Sequence, residues 1–278
     1  MSDRSVQEKR LDHLVESFKG EAPEYRRVRI PEDTEGKRNL LRSLMNIRPA
    51  KPASAELLTE QDAYLKWRAI EKGIVNVADI PTVEDSLGSG HPFAGKISIW
   101  QGDITRIAAD AIVNAANSQM IGCFIPMHNC IDNCIHTYAG IQLRQECARK
   151  MASLRLRFGE DYERPDAQPI LTDAYNLPAK KVIHIVGPVV QYGLTPQHEA
   201  KLAECYKNTL DMCRENGLRT VAFCCISTGV FCFPNDRAAE IAVRTVTEWL
   251  EKDTDGIDRV IFNVFKDYDR DLYEDLLR

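Results

Sequence analysis

The chain has 278 residues, 44% hydrophobic and 28% charged, with a formal net charge of -5 and a pI near 5.8. This is the composition of a soluble globular protein; it lacks the concentrated lysine and arginine needed to grip a phosphate backbone, so nucleic acid is not expected as a partner. No apolar run approaches the ~20 residues of a membrane span, and the opening "MSDRSVQEKRLDH" is too charged for a secretory signal. The nine cysteines are odd in number, and several lie in apolar runs such as "VAFCCIST". Free thiols in a reducing, cytoplasmic compartment are expected.

Helical periodicity dominates before residue 90, in "RLDHLVESFKG", "KRNLLRSLMNIR" and "AELLTEQDAYLKWRAIEKG". Leu11, Leu14 and Phe18 fall on one helical face. Together with Leu40, Leu41, Leu44, Leu57, Leu58, Tyr64, Leu65 and Trp67 they carry more apolar surface than a solvated tail would. Residues 1–90 therefore read as a helical extension packed on the C-terminal part of the chain. "IPTVEDSLGSGHPFAG" reads as a linker; Pro92, and the lack of a helical pattern after it, argue against a nucleotide loop at Gly88–Gly90.

From Lys96 the pattern becomes alternating strands and helices, which defines an α/β layered domain over 91–278. "KISIWQGDI" and "ADAIVNAAN" read as strands. "IDNCIHTYAGIQLRQECARKM" reads as one helix, with Ile131, Ile135, Ala139, Leu143 and Cys147 four residues apart. Cys134 and Cys147 are read as core residues of that helix, and His136 and His184 as structural. "AQPILTDAYNL" and "KKVIHIVGPVV" are strands. "TPQHEAKLAECYKNTLDMCRENG" is a helix with Thr195 as N-cap, Pro196 at the first position and Asn216-Gly217 as its stop. A buried strand "RTVAFCCIST", a helix after Pro234, the strand "DRVIFNVF" and a final helix complete the chain.

In such sheets ligands bind beyond the carboxyl ends of the strands, beside helix N-termini. Asp103, Asn114, Asn117 and the Ser227-Thr228-Gly229 turn all come directly after predicted strands. The turn can aim several backbone N–H groups at one point, which suits a phosphate. No Walker lysine accompanies it, so an ordinary nucleoside triphosphatase is excluded.

Read together, "GDIT", "DAIVNAAN", "IHTYAG", "VIHIVGP" and "STGVFCFP", in this order from Ile97 onward, resemble the macrodomain family over about two thirds of the chain. The resemblance implies a three-layer α/β macrodomain with a mixed central sheet flanked by helices. It also implies an ADP-ribose ligand. Asp103 would accept a hydrogen bond from the adenine amine, with the Ile104 backbone along the base edge. Asn117 would reach the distal ribose. Ser227, Thr228, Gly229, Val230 and Phe231 would wrap the diphosphate, with Phe231 over the ribose.

Where many hydrolytic macrodomains carry a run of glycines, this chain has "GCFIPMHNC". Cys123, His128 and Cys130 are spaced C-x4-H-x-C, not a common zinc-finger spacing, and free thiols are the plain alternative. Thiolate and imidazole are nonetheless the donors that Zn2+ prefers, and three of them leave a fourth, open position. "GCFIPMHNCIDNCIH" resembles the zinc-dependent macrodomains, in which a helical extension precedes the domain and the metal contacts the distal ribose. The resemblance implies one Zn2+ per chain and a protein mono-ADP-ribosyl hydrolase, with an ester to an acidic side chain as substrate linkage. Asn117 and Asp132 are the candidate catalytic residues; Asp132 either orients water or caps its helix. The alternatives are a reader that binds ADP-ribose without cleaving it, and a zinc-stabilised interaction module.

Overall fold

The computed structural model describes residues 3–278; the first two residues of the extension lie outside the described residues. The extension forms three helices, α1 (Asp3–Gly20), α2 (Thr34–Ile47) and α3 (Ala55–Lys72). Asp33 caps α2 by accepting from the Gly36 N–H at 2.7 Å, and Ser54 caps α3 by accepting from Leu57 N–H at 3.1 Å. Leu11, Leu14, Phe18, Leu41, Leu44, Leu57, Tyr64 and Leu65 are buried in one cluster. Ile141, far along the chain, closes that cluster. The extension is thus packed on the α/β unit, not free, and each such side chain contributes about 1.5–3 kcal/mol by leaving water.

The remaining elements in chain order begin with β1 (Val75–Asn76), α4 (Val83–Leu87), β2 (Ile97–Gln101), β3 (Ile107–Ala108) and β4 (Ala111–Ala115). Next come α5 (Ile131–Ala139), α6 (Ile141–Phe158), β5 (Ile170–Asp173), β6 (Lys181–Ile185) and α7 (Pro196–Glu215). The chain ends with β7 (Thr220–Phe223), α8 (Asn235–Lys252), β8 (Arg259–Val264) and α9 (Asp267–Leu277). Six strands form a mixed sheet in the order β2-β8-β7-β4-β6-β5. All neighbours are parallel except β5, which runs antiparallel to β6 at the edge. Helices flank the sheet, and β1 pairs separately with β3. The parallel strands are almost wholly apolar, as strands covered on both faces must be: Ile112, Val113, Val182, Ile183, Val221, Val260 and Ile261 have no exposed surface.

In two places the local structure differs from the sequence pattern. The stretch that reads as a linker contains α4, closed by a capping box in which Thr82 and Asp85 satisfy each other's backbone N–H groups. Ile80 and Val83 belong to the core of the sheet, so the composition shift near residue 90 falls inside that core rather than between two cores. The helix that reads as continuous from Ile131 is two, because Gly140 sits at φ +97° and breaks the ladder between α5 and α6. The four-residue spacing runs through the break because both helices turn apolar faces to the same core.

Candidate functional site

The parallel strands bring their carboxyl ends to one edge, and the loops leaving that edge carry the candidate residues. After β2, Asp103 caps a short 3-10 turn, Ile104–Arg106. Its Oδ1 accepts from the Thr105 N–H at 3.0 Å and the Thr105 hydroxyl at 2.6 Å. Its Oδ2 accepts from Nζ of Lys72, at the end of α3, at 2.5 Å. The same ammonium lies 3.6 Å from the centre of the Tyr138 ring. Burial pushes the Asp103 carboxyl up, but Lys72 and the Thr105 donors outweigh it and hold the group below its ordinary value. A carboxylate that stays ionised and keeps further lone-pair capacity is a good acceptor for an amine. Ile104 beside it is buried.

After β4, Asn117 Oδ1 accepts from the Gln119 N–H at 3.0 Å, and its Nδ2 reaches the Gly122 carbonyl at 3.4 Å. Asn117 thereby holds the entrance of the loop bearing Cys123, His128 and Cys130. Gly122 has φ +86°, and a Cβ there would stand 2.8 Å from the His136 ring. Only glycine enters this loop without displacing a buried side chain.

The three donor atoms of Cys123, His128 and Cys130 lie within 4.8 Å of one another. Cys123 Sγ and His128 Nδ1 are 3.6 Å apart. Two thiols and an imidazole turned toward one point are a donor set that suits Zn2+. Cys130 is also the N-cap of α5: its Sγ accepts from the Asn133 N–H at 3.3 Å. Burial, with the neighbouring Cys123 adding to it, raises the Cys130 thiol to about 12. The thiol therefore keeps its proton at neutral pH until a cation takes its place.

Asp132 does not cap α5; that role belongs to Cys130. Its side chain turns inward, with Oδ1 accepting from Asn114 Nδ2 at 2.8 Å and lying 3.5 Å from His136 Nε2. Burial raises its carboxyl to about 6, against the lowering effect of Asn114 and Arg144. Asn114 Nδ2 also contacts His184 Nδ1 at 3.0 Å, and His184 Nε2 lies 3.0 Å from the Thr172 hydroxyl. Because Asn114 is the donor, Nδ1 accepts and Nε2 carries the proton. His136, Cys147 and His184 form a second, fully buried group of donors. His184 spends both nitrogens on Asn114 and Thr172 and so braces the core, while neither nitrogen of the buried His136 has a hydrogen-bond partner among the described residues.

After β7, Ser227 and Cys232 adopt left-handed conformations, φ +65° and +56°. Each costs of order 1–3 kcal/mol for a side-chain-bearing residue, and such strain gathers at ligand loops. A glycine at the Cys232 position would adopt this conformation without that cost. Between them the N–H groups of Gly229, Val230 and Phe231 donate to no protein acceptor among the described residues, whereas Cys232 N–H turns back to Gly229 O at 3.1 Å. The Ser227 hydroxyl is buried and has no protein partner among the described residues. Phe231 packs on the cluster of Ala116, Met120 and Val186, which ties this loop to the ends of β4 and β6. Three successive free amides and an unpartnered hydroxyl in one loop suit an anion.

Sequence patterns miss four side chains that serve these loops from a distance: Lys72 at Asp103, and Arg42, Asn46 and Arg144 at the cysteine loop. Only Arg144, a charge among the buried positions of α6, leaves any trace in the pattern.

The Macro domain family matches residues 113–242 of the chain. A protein named "Protein-ADP-ribose hydrolase" from Treponema medium is 45% identical over 98% of this chain and 99% of its own length. A protein of the same name from Staphylococcus aureus strain Mu50 is 41% identical over 96% of this chain and 95% of its own. Among solved structures, the Trypanosoma brucei macrodomain in complex with ADP-ribose superposes with a TM-score of 0.63 at 26% identity, covering 85% of this chain and 95% of that one. With relatives matched over nearly their full length and the fold matched to solved macrodomains, the chain belongs to the Macro domain family.

Proposed function

We propose that the protein is a zinc-dependent hydrolase that removes single ADP-ribose units from modified proteins, with an ester to an acidic side chain as the linkage cleaved. The observation that carries the reading is the convergence of Cys123, His128 and Cys130 within 4.8 Å in the loop that Asn117 anchors. Full-length relatives named for the hydrolysis of protein-ADP-ribose support the activity. The unpaired state of all nine cysteines agrees with a reducing, cytoplasmic setting. No helix among the described residues is long and apolar enough to cross a membrane.

In this reading the base end is held by the Asp103 carboxylate, kept ionised by Lys72. The amides of Gly229, Val230 and Phe231, with the Ser227 hydroxyl, receive the diphosphate and need no basic patch. Asn117 fixes the turn beside the distal ribose. Zn2+ held by Cys123, His128 and Cys130 would supply orientation and Lewis-acid polarisation of an oxygen at the ribose. Asp132 shares its Oδ1 between Asn114 of β4 and the neighbourhood of His136, which ties the start of α5 to the sheet.

The test is incubation of a mono-ADP-ribosylated acceptor protein with the enzyme, with and without a chelator and after zinc is restored. Release of ADP-ribose that stops with the chelator and returns with zinc supports the reading. Release indifferent to the chelator removes zinc from the chemistry, and binding without release from any linkage leaves a reader.

A further inference from the structure

We propose that Arg42 and Asn46, both on α2 of the N-terminal extension, are positioning residues for the cysteine loop, so that the extension is a working part of the site. The inference rests on the zinc reading of that loop.

Cys123 and His128 are tied down through their main-chain carbonyls, and Cys130 through the Asn133 N–H on its Sγ. Arg42 Nη2 donates to the His128 carbonyl at 2.8 Å and to Asn133 Oδ1 at 2.8 Å, with Arg42 Nε on the same Asn133 oxygen at 3.2 Å. Asn133 in turn donates from Nδ2 to the Ile125 carbonyl at 2.9 Å and from its backbone N–H to Cys130 Sγ. Asn46 is buried, and its Oδ1 accepts from the Met127 N–H at 3.1 Å. Met127 is a non-glycine residue at φ +58°, a conformation that needs outside support. At the other side of the loop Arg144 donates to the carbonyls of Ile121 at 2.9 Å and Cys123 at 3.2 Å. Arg144 also donates to the Asn46 carbonyl at 2.8 Å and the Arg48 carbonyl at 2.5 Å. The loop is therefore clamped between α2, through Arg42 and Asn46, and α6, through Arg144.

The chemistry of the clamps matters. A planar guanidinium has five fixed donors and no acceptor, so it can bridge a carbonyl and an amide oxygen without competing for the metal. Arg42 and Asn46 take backbone atoms of the loop, not the donor atoms of Cys123, His128 or Cys130. Their removal should loosen the loop while the adenine and diphosphate contacts stay in place.

The test compares the full-length protein with an Arg42→Ala, Asn46→Ala double variant. Expected are amide hydrogen exchange at Met127 and His128 faster by at least about tenfold, since the lost hydrogen bonds include charge-assisted ones. Zinc should be stripped at about tenfold lower chelator concentration, and kcat should fall while ADP-ribose affinity stays within about threefold. Arg42→Lys and Asn46→Asp, which keep one donor and one acceptor respectively, should recover part of each loss and serve where the double variant does not fold. Arg38→Ala is the control: on the same helix, Arg38 pairs with Glu71 and Glu35 within the extension, and its loss should leave loop exchange unchanged. A double variant whose loop exchanges, and holds zinc, as the parent does overturns the inference. A parent that holds no zinc in any preparation sinks the zinc reading instead, and the exchange rates alone then decide whether α2 positions the loop.

Discussion

Replacing Asp103 with alanine separates ligand binding from stability. The substitution removes the proposed acceptor for the adenine amine. A hydrogen bond to a charged group is worth about 1.5–3 kcal/mol, so ADP-ribose should bind about ten- to hundredfold more weakly. The change also strands Lys72, whose Nζ lies 2.5 Å from Oδ2. Breaking a fully buried pair costs about 3–5 kcal/mol. Here the side chains of Lys72 and Asp103 keep 18% and 31% of their exposure, and the ammonium keeps the Thr105 hydroxyl and the Tyr138 face. A stability loss of about 1–2 kcal/mol is the better figure, or roughly 2–8 °C in melting temperature. Titration calorimetry with ADP-ribose and a thermal melt on the same preparation read the two effects. Lys72→Met removes the ion pair but leaves the carboxylate and an apolar stem against Tyr138. It should show a comparable melting loss with affinity changed by less than about fivefold. An Asp103→Ala protein that binds ADP-ribose as the parent does would refute the placement of the base.

Cys123→Ala with Cys130→Ala should abolish the stoichiometric zinc expected in the parent by elemental analysis; unchanged metal content would reject the loop as the site. His128→Ala should keep most ADP-ribose affinity and lose at least about tenfold in single-turnover hydrolysis, since polarisation and orientation are each worth more than about 1.4 kcal/mol; full activity in a folded, metal-free variant would make zinc structural. Gly122→Ala should cost activity and stability together, because the new Cβ meets the buried His136 ring at 2.8 Å; a variant with parental melting and turnover would contradict the close contact. Burial lowers His184 from 6.5 to about 3, so the native state leaves it neutral where the unfolded chain protonates it. Its contribution is whole above about pH 6.5 and is lost as the pH falls toward 3, the loss amounting to about 2 kcal/mol at pH 5. Asp132, raised to about 6, works in the opposite direction. The difference between parent and His184→Gln in urea unfolding from pH 7 to 5 isolates the histidine, and equal slopes would rule it out.

Periodicity and residue type account for the parts of the molecule that are legible in the sequence. The strands show as apolar runs, and Thr195 and Pro196 cap and open α7 as expected. The loop donors show by residue type and spacing, and the fold brings Cys123, His128 and Cys130 together. Breaks that depend on one backbone angle are not legible: Gly140 interrupts a helical pattern whose apolar spacing continues past it, and α4 hides in a stretch rich in turn residues. Nor are partners separated by many residues, such as Arg42 with His128 or Lys72 with Asp103, because one chain carries no record of which distant polar groups meet. The inward turn of Asp132 depends on Cys130 taking the cap, a role for which serine, threonine, aspartate and asparagine are the usual choices.

The break at Gly140 has a consequence for how the molecule comes apart. The N–H of Ile141, which opens α6, is satisfied by Gln61 Oε1 of α3 at 3.0 Å, and Gln61 Nε2 donates to Gln142 Oε1 at 2.7 Å. Asp62 Oδ1 accepts from Gln142 at 2.8 Å and from Asn176 Nδ2 at 2.7 Å, carrying the same seam on to the turn after β5. Opening that seam would exchange several of these hydrogen bonds for bonds to water at once, a net loss of about 0.5–1.5 kcal/mol each. The seam thus couples the extension to the sheet, and the two are expected to melt in a single transition.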